Sequence, residues 1–279
     1  MNHEPDCPPP YLALAHAMAD AAASVIRPHF RKRVAVDAKA DSSPVTIADR
    51  DAEATMRRMI EAQYPNHGIR GEEFGACRTD AEWVWVLDPI DGTKSFISGS
   101  FAFGTQIALL HRGKPVLGMI NQPITGERWF GIGSSATLNE EPIRTSEKTA
   151  LGEAILYTSA LEQFDRARHE RFDALTAKVR FTRISHDCYA AGLLALGGID
   201  LLVESNVFDY DILPQMPIIL AAGGIVTDWD GQPLADATGY DTVLMAANAD
   251  LHRAAVEILS RPGSNLYERA AYQPRFGGP

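Results

Sequence analysis

Apolar residues near the start of the chain recur every three or four positions, which is the spacing of an amphipathic helix. One such stretch runs from Tyr11 to Arg33, and we expect Pro28 to kink it or to end its regular part. A second stretch runs from Ala48 to Gln63, and Pro65 and Gly68 close it. The pattern therefore predicts two helices, each with one apolar face.

Short apolar runs follow these helices and predict β-strands. The run Trp83–Leu87 leads directly into the loop Asp88-Pro89-Ile90-Asp91-Gly92. The runs Gly104–His111 and Pro115–Pro123 flank a short turn that contains glycine, which is typical of a hairpin. The residues Glu127–Ile132 are expected to add a strand.

Predicted helices and strands alternate beyond Ile143. The helices are expected at 165–177, 189–196, 211–222 and 249–259, and the strands at 179–183, 199–203, 224–227 and 242–246. Such alternation indicates helices layered on a sheet. The tail after Pro262 is rich in glycine, proline and polar residues and is expected to be irregular.

Composition excludes some classes of function. The chain has 279 residues, of which 46% are hydrophobic, enough for a large core. Its net charge of −10 argues against nucleic-acid binding that is independent of sequence, which needs a basic surface. Three widely spaced cysteines match no zinc site and fit a reducing compartment. With no secretory signal and no long apolar run, we expect a cytoplasmic protein without a membrane partner.

The strongest chemical signal is the loop after the first predicted strand. Asp88 and Asp91 are three residues apart at the end of a buried strand, so their carboxylates point at one small volume. Hard divalent cations prefer such oxygen ligands, and the Ile90 carbonyl could add another. The alternative is an ordinary turn in which the aspartates bond their own backbone.

Three further acidic positions support weaker hypotheses. Glu72, in Gly71-Glu72-Glu73, could be a metal ligand or one of a solvated pair. Asp49 and Asp211 each lie near the start of a predicted helix, where an acidic residue commonly caps the helix. Asp211 could instead present its carboxylate to a metal ion.

Together, these motifs resemble the inositol monophosphatase superfamily over residues 43 to 259. The resemblance is carried by Trp85-Val86-Leu87-Asp88-Pro89-Ile90-Asp91-Gly92-Thr93, by Gly71-Glu72-Glu73 upstream, and by Tyr210-Asp211-Ile212 followed by Ala222-Gly223-Gly224. The family commonly has tryptophan where Tyr210 stands. The resemblance implies an α/β fold of the layered α+β type, an αβαβα sandwich, that is often dimeric.

The resemblance also implies a division of the chain at about Ile143. The N-terminal α+β part, 1–143, would hold most of the metal ligands. The C-terminal α/β part, 144–279, would contribute Asp211 and the substrate pocket. Neither part is expected to be an independent module.

Roles for individual residues are likewise implied by the resemblance. Glu72, Asp88, Asp91 and the Ile90 carbonyl would hold magnesium, and Asp211 would hold a second ion with the two other aspartates, giving two or three ions per site. Asp49 would polarise Thr93, and these two residues would orient and activate a water molecule together with Glu72. The amides of Gly92 and Thr93 would hold phosphate oxygens. The activity implied is hydrolysis of a small phosphate monoester without a covalent intermediate.

Within the superfamily the chain looks most like the histidinol-phosphate phosphatase branch. The stretches that carry this likeness include Asp91-Gly92-Thr93-Lys94-Ser95-Phe96, Gly118-Met119-Ile120-Asn121-Gln122-Pro123 and Asp187-Cys188-Tyr189-Ala190. Histidinol phosphate carries a cationic amine, for which a site should offer a carboxylate. Asp187 is the first candidate, unless it caps the following helix, and Glu204 is the second, unless its role is structural. Lys94 could attract the phosphate or be a solvated surface lysine.

The sequence departs from that branch at three positions. The branch often has an aromatic residue where Ala191 stands, histidine where Gly198 stands and arginine where Lys94 stands. Histidinol phosphate is therefore the first substrate hypothesis, and inositol monophosphate or a related sugar or nucleotide phosphate is the second. A non-catalytic regulator that binds metal or phosphate is the third.

Overall fold

The structure is a computed structural model that describes residues 7–33, 36–38, 44–235 and 237–261. The tail after Pro262 and residue 43, at which the resemblance begins, lie outside these ranges. In the described ranges no helix is both long enough and apolar enough to cross a membrane.

The helices of the described residues are numbered in chain order. They are α1 (Pro9–Ile26), α2 (Ile47–Gln63), α3 (Thr93–Ser98), α4 (Arg166–Thr176), α5 (Asp187–Ala195), α6 (Asp209–Ile212), α7 (Gln215–Ala221) and α8 (Ala249–Leu259). Single 3-10 turns occur at Arg27–His29, Leu151–Glu153 and Leu161–Gln163.

The strands form one two-stranded ribbon and two larger sheets. The ribbon is β1 (Val36–Ala38) with β2 (Pro44–Thr46). The eight-stranded sheet comprises β3 (Gly68–Gly71), β4 (Gly75–Cys77), β5 (Trp83–Asp91), β6 (Gly104–His111), β7 (Lys114–Gln122), β8 (Glu127–Ile132), β9 (Ser135–Leu138) and β10 (Glu141–Pro142). The five-stranded sheet comprises β11 (Ile155–Thr158), β12 (Phe181–Ile184), β13 (Leu201–Phe208), β14 (Ile225–Thr227) and β15 (Gly239–Ala246).

Strand order explains how the larger sheet presents its loops. The order is β10-β9-β8-β7-β6-β5-β3-β4, and β3 runs parallel to β5 while the other neighbours are antiparallel. Parallel strands end at the same edge of a sheet. The loop after β3, which begins with Glu72, therefore lies beside the acidic end of β5.

The two faces of the larger sheet are covered by different helices. Trp85 and Leu87 of β5 share a core with α1 and α2, whereas Val84 and Val86 face a core that includes α5 and α7. This alternation follows from the two-residue period of a strand. Because both faces are buried, the run Trp83–Leu87 is continuously apolar, as predicted.

The smaller sheet completes the layers. Its order is β12-β11-β13-β15-β14. Leu202 and Met245 face the core that contains α5 and α7, and Leu201 and Leu244 face a separate core with α4 and α8. The layers are thus two helices, a sheet, two helices, a sheet and two helices, which confirms the predicted αβαβα sandwich and its α/β, layered α+β class.

The middle helical layer approaches the larger sheet at two glycines. A Cβ at Gly118 of β7 would lie 2.1 Å from the Pro214 carbonyl oxygen, and one at Gly131 of β8 would lie 2.4 Å from the Ile218 Cα. Both contacts are to backbone, which cannot rotate away as a flexible side chain can. Glycine at these positions sets the depth of α7, and with it the place of α6 just before it.

Two predicted helix boundaries were wrong in part. The first helix does not continue to Arg33, but the expectation that Pro28 ends its regular part was confirmed, since α1 ends at Ile26 and Pro28 lies in the 3-10 turn that follows. The stretch 211–222 is two short helices, α6 and α7, rather than one. Pro214 and Pro217 have no N–H to continue the helical hydrogen bonds, which accounts for the second difference.

The other boundaries were close to the prediction, except for the end of one strand. The hairpin of β6 and β7, the strand β8 and the helix α8 were confirmed. Strand β13 continues to Phe208, well past the predicted end at 203. The chain crosses from the larger to the smaller sheet between Pro142 and Ile155, and the division into two parts at Ile143 stays a prediction.

Replacing Gly131 with alanine tests the close approach of α7. We expect Gly131→Ala to lower the free energy of unfolding by about 1–3 kcal/mol, because the added methyl overlaps the Ile218 backbone. A denaturant titration measures this. Gly152→Ala is the matched control, since a methyl group added at Gly152 would lie more than 4 Å from every heavy atom of the described residues outside its immediate chain neighbours. Equal unfolding midpoints for the two variants would contradict this account.

Candidate active site

The acidic end of β5 is shaped by an irregularity in its pairing with β6. Asp88 pairs with Gln106 and Asp91 with Gly104, so the strand bulges between them. The Ile90 amide donates to Asp88 Oδ1 at 3.0 Å, and Thr105 Oγ1 donates to the Pro89 carbonyl at 2.8 Å. Asp88 therefore bonds its own backbone, as in an ordinary turn. This bond does not prevent its carboxylate from joining a cluster.

Three carboxylates meet at this bulge. Ligand oxygens of Asp88, Asp91 and Asp211 all lie within 4.8 Å of one another, although Asp211 is more than 100 residues away in sequence. Asp88 is buried, and the other two are partly buried. Glu72 acts electrostatically on all three. The structure therefore brings together the four acidic residues that the sequence proposed as metal ligands.

Burial and then mutual repulsion raise the pKa values of these aspartates. Burial raises the pKa of Asp88 well above its ordinary value, and the charges of Glu72 and Asp91 raise it further. Burial, then Asp187, raises the pKa of Asp91, and burial, then Asp91, raises that of Asp211. The group is a concentration of like charge removed from bulk water, which a bound cation would relieve.

Asp211 is held through both its side chain and its backbone. Its Oδ2 accepts a bond from the Phe208 amide at 2.8 Å, the reciprocal half of a capping arrangement at the start of α6. Its carbonyl oxygen accepts hydrogen bonds from the side-chain amides of Gln106 at 3.1 Å and Gln215 at 2.5 Å. Asp211 thus both stabilises the helix start and faces the cluster.

Asp49 and Thr93 lie side by side next to the cluster. Asp49 Oδ2 accepts bonds from the Thr46 amide at 2.9 Å and hydroxyl at 2.5 Å, so it completes the cap of α2. Its other oxygen, Oδ1, is 3.4 Å from Thr93 Oγ1. The Thr93 hydroxyl is also 3.1 Å from the Ile90 carbonyl oxygen. Burial raises the pKa of Asp49 above its ordinary value.

Gly92 turns the chain from β5 into α3. Its φ of +85° is the left-handed conformation that glycine adopts without strain. A Cβ there would lie 2.7 Å from Asp187 Oδ2 and 2.9 Å from the Ala102 carbonyl oxygen. The first amides of α3, beginning with Thr93, have no acceptor within the helix, so they are suited to bind an anion.

Asp187 is the first residue of α5, and it is directed toward the cluster rather than along its helix. No side chain caps α5, so the capping alternative for Asp187 was wrong. Ser95 Oγ donates to Asp187 Oδ2 at 3.1 Å, and the backbone of Asp187 has a φ of +43°. Burial raises the pKa of Asp187 to about 6.

Glu204 is buried in β13 beside the same region. The amide and the hydroxyl of Ser159 donate to Glu204 Oε1 at 2.9 Å and 2.8 Å. Within the described part of the chain, Oε2 has no hydrogen-bond partner. Burial raises the pKa of Glu204 to about 8.

These residues line a cleft with two adjoining lobes. The small lobe, about 80 Å³, is lined by Asp91 and Asp211 of the cluster, by Asp187 and Glu204, and by Gln163 and Gln215. The large lobe, about 350 Å³, is lined by residues including Glu72, Gly92, Thr93, Lys94 and Glu162. Ser159, Gln163 and Asp187 belong to both lobes.

Lys94 lies at the rim of the large lobe. It is exposed and its Nζ is 2.8 Å from Glu162 Oε1, so it is neither deep in the cleft nor simply solvated. Of the three positions that depart from the histidinol-phosphate branch, Lys94 alone is among the described residues that line either lobe. Ala191 is fully buried in the core, and Gly198 follows the end of α5.

Several residues of the cleft were missed by the sequence reasoning. Gln163 and Gln215 each have a buried side-chain oxygen without a partner among the described residues. Ser95 and Ser159 bond the two candidate substrate carboxylates. Gln106 lies opposite Asp88 in the pairing of β5 with β6, which the sequence reasoning did not predict.

Comparison with known proteins agrees with this geometry. The sequence model of the inositol monophosphatase family matches residues 9–261. The chain is 45% identical over 259 residues to the bifunctional phosphatase IMPL2, chloroplastic, of Arabidopsis thaliana, covering 89% of this chain and 75% of the relative. It is 34% identical over 250 residues to the histidinol-phosphatase of Chlorobaculum parvum, covering 88% of this chain and 94% of the relative.

Solved structures show the same fold. An inositol monophosphatase from Zymomonas mobilis has a TM-score of 0.82 and 44% identity, covering 90% of this chain and 97% of that chain. An inositol monophosphatase from Thermotoga maritima has a TM-score of 0.81 and 25% identity, covering 90% and 96%. The chain therefore belongs to the inositol monophosphatase family and is a phosphatase.

Proposed function

We propose that this phosphatase is magnesium-dependent and that its preferred substrate is histidinol phosphate, an intermediate of histidine biosynthesis. The observation that carries the proposal is the arrangement of the cleft. A group of carboxylates suited to metal ions, two of which line the small lobe, lies beside the other polar groups of that lobe, which are mostly acceptors. The first feature supports metal-dependent phosphate hydrolysis, and the second supports a substrate with a cationic, donor-rich end.

The donor set fits magnesium. Glu72, Asp88, Asp91 and Asp211, with the Ile90 carbonyl, offer only oxygen ligands, which hard divalent cations prefer. The raised pKa values of the three aspartates indicate that their ionised forms lack sufficient compensating positive charge. We propose two or three ions held by these residues.

Bound magnesium would offset the charge of a phosphate dianion, lower the pKa of a water molecule and stabilise the leaving oxygen. The chain's own residues would handle the proton. Thr93 Oγ1 would accept the water proton as it passes its own to Asp49 Oδ1, 3.4 Å away. The raised pKa of Asp49 makes it a better proton acceptor than an ordinary aspartate. Glu72 would help to orient the same water.

The phosphate would be held where β5 turns into α3. The amides of Gly92 and Thr93 would donate to its oxygens, in the region where Gly92 has no side chain to obstruct the approach. Lys94, at the rim, would draw the anion toward the cleft. Attack would be in line, and neither a cysteine nor a serine nucleophile is required.

The other end of the substrate would lie in the small lobe. Asp187 would receive the amine of histidinol phosphate, and Glu204 would accept from a second donor through its unpartnered Oε2. Among the described residues lining this lobe there is no lysine, arginine or histidine, so no side chain there repels a cationic group. The names of several relatives, histidinol-phosphatases at 33–35% identity, support this substrate.

Inositol monophosphate is the second candidate, because hydroxyl groups can also donate to the unpartnered oxygens of the small lobe.

The choice of substrate is tested by measuring phosphate release with magnesium. The esters compared are histidinol phosphate, myo-inositol 1-phosphate, fructose 1,6-bisphosphate and an adenosine bisphosphate. The highest kcat/KM on histidinol phosphate is the expected result. No turnover of any ester would favour the non-catalytic alternative. The cytoplasmic location and a homodimer stay predictions.

Asp91→Asn tests the metal cluster. It removes one charge at nearly constant volume, so we expect kcat/KM to fall by roughly a thousandfold, the loss of several kcal/mol of metal-assisted stabilisation. Without metal the variant should be at least as stable as the parent, because a repelling charge is gone. Phosphate release and thermal unfolding measure the two effects. Asp51→Asn, an exposed change on α2, is the control, and parent-like turnover in Asp91→Asn would refute the mechanism.

Asp187→Asn tests the substrate. If Asp187 receives the amine, the substitution should reduce kcat/KM for histidinol phosphate about 10- to 100-fold, the range of one charged hydrogen bond. Turnover of an ester with a neutral alcohol should change much less. Glu162→Gln is the control, because it alters the rim pair with Lys94 and should affect both esters alike. Equal losses on both esters in Asp187→Asn would refute the role.

Because its pKa is raised, Glu204 is expected to make the stability of the metal-free protein depend on pH. Its folded pKa, about 8, is raised above the ordinary value of 4.5 by burial. The protonated form is favoured by folding, so its stabilisation is complete below about pH 4.5 and is lost as the pH rises through 8. In metal-free protein, Glu204→Gln should therefore gain stability relative to the parent across this window. Denaturant titrations at several pH values measure the difference, and a constant difference would contradict it.

A further inference from the structure

The loop that carries Glu72 is a three-residue connection between β3 and β4. Gly71 pairs with Gly75 across the hairpin, and Gly75 has a φ of +68°. The Glu72 amide donates to the Leu87 carbonyl at 3.2 Å, immediately before Asp88 in β5. One side of the loop is therefore fixed to the strand that ends in the metal cluster.

The other side of the loop is fixed by Glu53 of α2. Its side chain is fully buried, and its Oε2 accepts the Glu73 amide at 2.7 Å while its Oε1 accepts the Phe74 amide at 3.2 Å. Arg57, one turn later, donates to Glu53 Oε1 at 2.7 Å and also to the Gly75 carbonyl. The two side chains together hold the backbone on the C-terminal side of Glu72.

Gly71 shows how closely this pair approaches the loop. A Cβ at Gly71 would lie 2.1 Å from Glu53 Oε1 and 2.6 Å from an Arg57 nitrogen. The glycine of Gly71-Glu72-Glu73 thus makes room for the Glu53 carboxylate. This contact gives a physical reason for a glycine directly before Glu72.

Unlike the carboxylates of the metal cluster, Glu53 is paired with a positively charged side chain. Arg57 is one turn away at 2.7 Å, with side-chain exposures of 12% for Arg57 and 0% for Glu53, so the carboxylate is compensated within its own helix. Glu53 also lies one helical turn after Asp49. A single helix therefore carries the proposed proton acceptor and holds the loop of a proposed metal ligand.

We infer that Glu53 is a positioning residue, which acts through the amides of Glu73 and Phe74 to set the place of Glu72 relative to Asp49 and the metal ions. The inference rests on the proposed metal site. Partners that orient metal ligands from outside the site commonly change ion affinity by 10- to 100-fold when removed. Glu53→Gln retains the size of the side chain but cannot accept both amides and pair with Arg57 as a carboxylate does.

The test is direct measurement of Mn²⁺ binding by titration calorimetry on the full chain, at a temperature where metal-free parent and variant are both folded. We expect Glu53→Gln to raise the Mn²⁺ dissociation constant about tenfold or more. The Mg²⁺ concentration for half-maximal phosphate release should rise by a similar factor, and kcat should recover at saturating Mg²⁺. Glu61→Gln, the same change at an exposed position of α2, should leave both values unchanged.

The outcomes separate this inference from the proposed function. If the parent binds Mn²⁺, Asp88→Asn loses it and Glu53→Gln binds as the parent does, the role of Glu53 is refuted and the metal site stands. A parent that binds no Mn²⁺ refutes the metal site and this inference together. Should Glu53→Gln fail to fold, the double variant Glu53→Met with Arg57→Met removes both buried charges at once, and the same loss of Mn²⁺ affinity is expected.

Discussion

Repulsion among buried carboxylates is the constraint on which this structure depends. Asp88, Asp91 and Asp211 place oxygens within 4.8 Å of one another, and folding must hold them there against their own charge. Each is fixed by a backbone contact: Asp88 by the Ile90 amide, Asp91 by the Cys188 amide and Asp211 by the Phe208 amide. Hydrogen bonds of this kind favour the ionised form, whereas burial and like charge oppose it. The metal ions proposed here would resolve that conflict.

The sandwich supplies the rigid frame for this arrangement. The cleft lies where the two sheets meet across α5 and α7, so each sheet contributes some of the polar groups. Close contacts at Gly118 and Gly131 fix the depth of α7. Because α6 directly precedes α7, the depth of α7 also fixes Asp211. Gln106 of the larger sheet then bonds the Asp211 carbonyl, so the cluster is held across the layers.

In the proposed function, the two lobes of the cleft would recognise different ends of the substrate. The large lobe joins the start of α3 to Glu72, and the small lobe beside it contains Asp91 and Asp211, an arrangement that suits a phosphate group accompanied by cations. In the small lobe, Glu204, Gln163 and Gln215 each have an oxygen without a partner among the residues that the structure describes. Buried acceptors are costly when unsatisfied, so they are expected to meet donors when a substrate binds. The chemistry of that substrate end is therefore restricted to groups rich in N–H or O–H.

The sequence by itself determined the main elements and the acidic motifs, because strand and helix periods are local properties, and its resemblance to the inositol monophosphatase superfamily implied the class of fold. The same resemblance implied that Asp49, Glu72 and Thr93 are neighbours of the cluster. Only the tertiary structure decided that Asp187 faces the cluster instead of capping α5, and that Gln106 and Gln215 share one carbonyl. It also decided that the Glu53 carboxylate accepts hydrogen bonds from the amides of Glu73 and Phe74. These contacts join residues from separate elements, and their hydrogen bonds depend on how those elements pack, which no spacing along the chain encodes.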